Sequence, residues 1–247
     1  MAMNTNPYES PSLVAQYLLF HYGTAQQQLP HGDVPSSGLH FPVRCVTECL
    51  DIDRLARRER ALDLGCSVGR SAFELAKFFE EVVAVDYSRA FITAARRIQR
   101  QRSITCQVPM EGVLTQEMEF HLSPELPSEK VHFVQGDALD PNPLWGVFDC
   151  VLAANLLDRV FEPACLLQIL TRLTRPGGQL ILASPYTWLE EFTPRQKWPT
   201  GLTFDFIQMH LSPHFTLHQK KEMPFTIREH ARKFQWSYAE ATVWIKK

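Results

Sequence analysis

Short apolar runs alternate with amphipathic stretches along most of this chain. Residues 61–64 (Ala-Leu-Asp-Leu) form an apolar run broken by one acid and closed by Gly65, and apolar positions then recur at helical spacing through Ala76. A second run at 82–85 ends on Asp86, and further strands are predicted at 131–134, 148–153 and 179–183. Ser88 reads as the N-cap of a helix over 89–101, and another helix is predicted over 162–174, stopped by Pro176, Gly177 and Gly178. Near-continuous apolar strands alternating with helices predict a mostly parallel sheet covered on both faces. The flanks read differently. Residues 10–22 put Leu13, Tyr17, Phe20 and His21 on one side at helical spacing, residues 23–40 read as loop, and Pro42 opens a helix predicted through Leu55. Residues 104–128 read as an irregular insertion holding a short helix. Strands predicted at 215–218 and 241–245, with no helix pattern between them, suit an antiparallel pair at the sheet edge. Residues 1–57 are thus expected as an N-terminal helical cap, forming one structural unit with a main domain over 58–247.

Composition narrows the function classes. With 247 residues, 45% of them hydrophobic, the chain can build one α/β domain with a full core. A formal net charge of −2 argues against nucleic acid as a partner, and no run is long and apolar enough to span a bilayer. The start, Met1-Ala-Met-Asn-Thr-Asn, lacks the basic and apolar regions of a signal peptide, so a cytoplasmic location is expected. The six cysteines are scattered, several within apolar runs, as suits reduced core thiols. Cys45 and Cys49 lie one helical turn apart without a second ligand pair, so they read as thiols on a helix face, and no metal is expected.

The candidate chemistry sits at the strand ends. A strand, glycine turn, helix and strand, with an acid 21 positions after Gly65 (86 − 65), is the layout of a nucleoside-binding half-fold. Dinucleotide sites favour a middle glycine that lets backbone approach a pyrophosphate; here Gly65 and Gly69 flank Cys66 and Ser67 instead. Asp63, two residues before Gly65, would repel a pyrophosphate and favour a cation. S-adenosylmethionine (SAM) carries a sulfonium and an ammonium and no phosphate, so it fits better than NAD. In this reading Gly65 and Gly69 allow close backbone approach and Asp86 accepts both ribose hydroxyls. Asp137 accepts the adenine amino group, and Asn155 meets the methionine end or the substrate. Cys66, Arg70, Tyr87 and Ala138 adjoin them, and Arg44 reaches in from the cap, to complete the expected cofactor set. One strand-end acid is readily explained as a helix cap or solvated turn; several in register with a glycine turn are not.

In this combination residues 58–185 resemble the class I SAM-dependent methyltransferases. The resemblance implies an α/β, Rossmann-like seven-stranded mostly parallel sheet with helices on both faces and its last strand antiparallel, behind the N-terminal helical cap. A narrower resemblance covers nearly the whole chain. Asn6-Pro-Tyr-Glu9, residues 17–23 (Tyr-Leu-Leu-Phe-His-Tyr-Gly), 41–49, 185–194 and 223–236 look like the methyltransferase part of ovothiol-biosynthesis enzymes. That domain methylates an imidazole nitrogen of 5-thiohistidine (4-mercaptohistidine) and is often fused behind an iron-dependent sulfoxide synthase. The resemblance therefore implies a small amino-acid substrate, with a sulfoxide synthase as fused or separate partner.

A thiohistidine has a carboxylate, an ammonium, a thiolate and an imidazole, so its pocket calls for an Arg fork, acids and aromatic walls. Tyr186, Trp188, Glu190 and Glu191 follow the fifth strand; Arg228, His230, Arg232 and Lys233 precede the last; Tyr8, Tyr22, Phe41 and Arg44 belong to the cap. Arg228 is the first choice for the substrate carboxylate, with Tyr8, Asn155, Trp188, Glu190, His230 and Lys233 around it. Tyr186, His230 or Asp158 would accept or orient the ring proton, Tyr186 foremost because it adjoins the strand-five tip. The plainer readings are a solvated basic turn at 228–233, loop packing for Trp188 and core packing for the cap residues. Pro194, Pro199 and Gly201 suit a mobile lid over 185–202. Three alternatives stand beside this reading: another class I methyltransferase acting on a protein or a different metabolite, a non-catalytic SAM-binding partner subunit, and a nicotinamide dehydrogenase, the last disfavoured by Asp63.

Overall fold

The structure is a computed structural model and describes residues 6–31 and 35–247. Its strands are β1 Arg60–Leu64, β2 Glu81–Asp86, β3 Ser103–Glu111, β4 Leu114–His121, β5 Val131–Gln135, β6 Phe148–Ala154, β7 Thr174–Ser184, β8 Phe215–His230 and β9 Lys233–Lys246. The helices are α1 Pro11–Tyr22, α2 Ala25–Gln28, α3 Phe41–Thr47, α4 Arg70–Leu75, α5 Arg89–Gln101, α6 Pro163–Leu173 and α7 Thr203–Leu211. Seven strands form one sheet in the order β5-β2-β1-β6-β7-β9-β8. β9 pairs antiparallel with both β7 and β8, and the other pairings are parallel, so the last strand alone runs against the sheet.

Side chains alternate between the two faces of each strand, and both faces are buried. Ala61, Val82, Cys150 and Ile181 join one core with α1, α3, α4 and α5. Leu62, Val83, Val151 and Leu180 join the other with α6 and α7. The cap contributes Leu18, Leu19, Phe41 and Cys45 to the first core, and α3 packs on α4.

Five sequence expectations change. Residues 104–128 contain no helix; β3 and β4 form an antiparallel hairpin turned at Gly112 (φ +57°), whose buried Ile104, Val108, Met118 and Phe120 pack beside α1. Their spacing of two or four is a strand signal half hidden by exposed polar neighbours. The helix opened at Pro42 stops at Thr47, short of Leu55, and beyond it the Gln179 side chain bonds both the N–H and the carbonyl of the extended Asp51. Residues 23–40 hold the short α2, fixed by a reciprocal Thr24–Gln27 capping box. The edge strands are also longer than predicted, at 16 and 14 residues, and α7 fills a stretch with no predicted helix.

Candidate active site

The turn from β1 to α4 is built around left-handed backbone. Gly65 (φ +79°), Ser67 (φ +52°) and Gly69 (φ +91°) bend it, and the Gly65 and Cys66 N–H groups both donate to the Val85 carbonyl at 2.8 and 2.9 Å. Gly69 is also required sterically: a Cβ there would lie 2.5 Å from the Phe133 ring. The Asp86 carboxylate completes the tie, accepting from Ser67 N–H and Ser88 N–H, each at 2.8 Å. Asp63 is 1% exposed and accepts from Ser71 Oγ at 2.8 Å. Burial pushes the Asp63 carboxyl up to about 7 and that of Asp86 up to about 6; hydrogen bonds from Ser71 and from the Ser88 and Ser67 amides oppose the rise.

A cavity of about 460 Å³ opens over the carboxyl ends of these strands. Of the expected cofactor residues, Asp63, Gly65, Cys66, Asp86, Tyr87, Asp137, Ala138 and Asn155 line it. Asn155 sits at φ +53° with its N–H on the Ala183 carbonyl at 2.7 Å. Asn155 Oδ1 and Ser67 Oγ are buried polar atoms without a partner among the described residues, and both belong to residues lining the cavity. Unpaired buried polar atoms beside three aspartates fit a polar, cationic nucleoside, so these residues fit SAM.

The rest of the wall is aromatic. Tyr8, from the turn Pro7–Glu9, stacks on Phe192 (centroids 5.9 Å apart) and meets Tyr17 edge-on, also at 5.9 Å. This turn is pinned to α5: the Glu9 carboxylate accepts from Arg89 and Ala90 N–H, and Ser88 Oγ donates to the Tyr8 carbonyl. Burial pushes the Tyr8 and Tyr17 phenols up, against the opposing charge of Arg159. Burial and the nearby Arg70 charge hold His21 down to about 3, so its imidazole is neutral. Arg159 and Glu191 are the charged residues on this side of the cavity.

Other expected site residues lie elsewhere. Gly69 and Arg70 support the turn from behind, Arg70 pairing with the buried Glu74 at 2.5 Å. Arg44 bonds Glu48 and the Ser37 and Pro224 carbonyls, and Tyr22 donates to the Val68 carbonyl, while Phe41 does line the cavity. Tyr186, expected as the catalytic residue, turns at φ +54° and donates to Glu240 Oε1 on β9 at 2.7 Å, off the cavity wall. Asp158 is fully buried and saturated by Ser184 Oγ, Thr187 N–H and Arg159. Trp188 bonds Thr203, and Glu190 pairs with Arg195; its exposed neighbour Glu191 borders the cavity. Arg228, expected as the carboxylate clamp, is 4% exposed and bonds the Gln27 carbonyl and Met110 Sδ, because alternation along β8 gives the cavity to Ile227. His230 and Lys233 sit at the hairpin end with Arg232 and Glu229. Within the expected lid, Thr193 Oγ1 donates to the Val160 carbonyl at 2.7 Å.

Arg159 and Phe192 were not singled out from the sequence. The available signal was their position: Arg159 lies four residues past Asn155, in the loop following β6.

A family model described as "Methyltransferase domain" matches residues 62–182. A "Ubiquinone biosynthesis O-methyltransferase" from Xanthomonas campestris pv. campestris (strain B100) is 25% identical over 189 residues, covering 74% of this chain and 66% of that protein. The match therefore spans just under two thirds of that relative's length. Among solved structures, the N-methyltransferase NodS from Bradyrhizobium japonicum WM9 in complex with S-adenosyl-L-homocysteine superposes with a TM-score of 0.53 at 14% identity, over 94% of this chain and 98% of that one. YcgJ protein from Bacillus subtilis gives 0.50 at 14% identity, over 79% and 95%. At these identities the structural likeness speaks to the fold.

Proposed function

We propose that this chain, which carries a class I SAM-dependent methyltransferase domain, transfers a methyl group to an imidazole nitrogen of 5-thiohistidine. The observation that carries the reading is the two-sided cavity: aspartates with unpartnered Ser67 Oγ and Asn155 Oδ1 on one side, and an aromatic wall holding one cation and one carboxylate on the other. Its size suits a ligand of cofactor or drug dimensions, for which pockets run to roughly 300–1,000 Å³. The acceptor assignment draws its support from the sequence resemblance at residues 6–9, 17–23 and 185–194, which supply Tyr8, Tyr17, His21, Glu191 and Phe192 to that wall.

When bound, SAM supplies a methyl group already activated on a sulfonium. The chain's contribution is then mainly alignment, since holding an acceptor at near-attack distance accounts for much of such an acceleration. Tyr8, Tyr17 and Phe192, packed on one another, offer an aromatic wall against which a flat ring can lie. The acceptor nitrogen must present its lone pair, and the neutral Tyr8, Tyr17 and His21 can orient a ring N–H without adding charge. Glu191 offers a partner for an ammonium group. On this reading a sulfoxide synthase, fused or separate, supplies the acceptor, and the enzyme works in the cytoplasm.

O-methylation of a small aromatic molecule is the second reading, favoured by the printed name of the curated relative. Mass spectrometry on parallel reactions of SAM with 5-thiohistidine, histidine and a catechol separates the two. The expected result is a one-methyl gain on thiohistidine alone. A gain confined to the catechol would replace the acceptor, and no gain on any would reject both acceptors.

A further inference from the structure

We propose that Arg159 is the anion clamp of this cavity and pairs with the carboxylate of an amino-acid acceptor; the proposal rests on the amino-acid reading above. Arg159 ends the tight turn Leu157–Arg159 that follows β6. One edge of its guanidinium is fixed. Nη1 donates to Asp158 Oδ2 at 2.7 Å, the Asp158 carbonyl at 2.9 Å and the Thr187 carbonyl at 2.8 Å. Asp158 is itself immobilised by Ser184 Oγ and Thr187 N–H, so the turn after β6 and the chain leaving β7 together set the direction of the side chain.

The other edge is available. Nε and Nη2 have no carboxylate or carbonyl partner among the described residues; the Tyr8 phenol approaches the guanidinium, and the side chain is 23% exposed and lines the cavity. A planar fork with two adjacent donors that face no anion is the geometry that takes a carboxylate in bidentate fashion, with the neutral Tyr8 phenol able to give way or to add a donor. The Phe192 ring lies 5.3 Å from Arg159 Cζ and covers one face of the guanidinium, which limits the approach to the plane of the fork. Charge sorts the cavity the same way. Among the described residues lining it, Asp63, Asp86, Asp137 and Glu191 bear carboxyls, His21 is neutral, and Arg159 is the one cation. A carboxylate entering the cavity, the acceptor's or SAM's own, is repelled from the rest and finds its cation here, and the SAM-affinity measurement tells the two apart. The Asp158 pairing leaves the couple near neutrality, so recognition depends on donor geometry more than on excess charge.

The test compares wild type with Arg159→Gln and Arg159→Lys. It measures SAM affinity by calorimetry, and KM for 5-thiohistidine and for the same compound without its carboxylate. In Arg159→Gln, KM for 5-thiohistidine should rise about ten- to a hundredfold, the loss of one strong charge-assisted interaction, while SAM affinity holds. Wild type should favour the carboxylate-bearing acceptor, and Arg159→Gln should erase that preference. Arg159→Lys keeps the charge against Asp158 but loses the fork; it should also raise KM, and it carries the test if the Gln variant does not fold. An unchanged KM in a folded variant, or a loss confined to SAM affinity, overturns the clamp while leaving the thiohistidine reading intact. Wild type that fails to methylate 5-thiohistidine rejects that reading, and the clamp with it.

Discussion

Ser67 donates its backbone N–H to Asp86 Oδ2 at 2.8 Å, so the acid at the tip of β2 is at once a candidate cofactor ligand and the strut of the glycine turn. Ser88 N–H holds the other oxygen, also at 2.8 Å. Asp86→Ala should weaken SAM binding at least about tenfold, since it removes a charged acceptor and leaves two amides without a partner. Asp86→Asn keeps one oxygen and should lose less. Titration calorimetry checks both; full affinity in the Ala variant would refute the ribose assignment.

The raised Asp63 and Asp86 carboxyls make both stability and binding pH-dependent. Between the ordinary carboxylate value of 3.8 and about 7 for Asp63, or about 6 for Asp86, the folded chain holds protons that the unfolded chain has released. The cofactor-free protein should therefore lose this stabilisation as pH rises from about 4 to 7. A cationic cofactor favours the charged carboxylates, so SAM affinity should increase across pH 6–7 and binding there should release protons. Calorimetry in buffers of different ionisation enthalpy measures that release directly.

Gly69→Ala should destabilise the fold by about 2 kcal/mol or more, because it combines a left-handed φ of +91° with a Cβ 2.5 Å from the Phe133 ring. Phe133→Leu in the same chain should recover part of the loss by relieving the contact alone. Thermal melts of the single and double variants report this.

Tyr186→Phe should leave kcat within about twofold of wild type and cost about 1 kcal/mol of stability, the net worth of its hydrogen bond to Glu240. A large fall in kcat with unchanged stability would restore the catalytic role that the sequence suggested.

The strands of the main sheet and the cofactor half of the cavity were legible because both follow from local order. An apolar run bounded by Gly65 or Asp86 fixes a strand and its tip, and in a parallel sheet the tips gather at one edge whatever the loops do. Asp63, Asp86, Asp137 and Asn155 come together for that reason. The β3–β4 hairpin was hidden because its exposed polar residues blur the alternation.

The acceptor half was not legible, because facing is decided there by single residues. Ile227 lines the cavity and Arg228 lies outside it; Glu191 lines it and Glu190 does not. A strand side chain changes face with a one-residue step, and loop residues obey no period at all, so a list of suitable residue types does not reveal which ones converge. The sequence by itself therefore determined the Rossmann-like sheet and the gathering of Asp63, Asp86, Asp137 and Asn155 at its strand tips. Only tertiary packing decided that Tyr186 and Arg228 serve the framework while Arg159, turned by Asp158 and Thr187, faces the cavity, since that direction depends on hydrogen bonds between segments 28 residues apart.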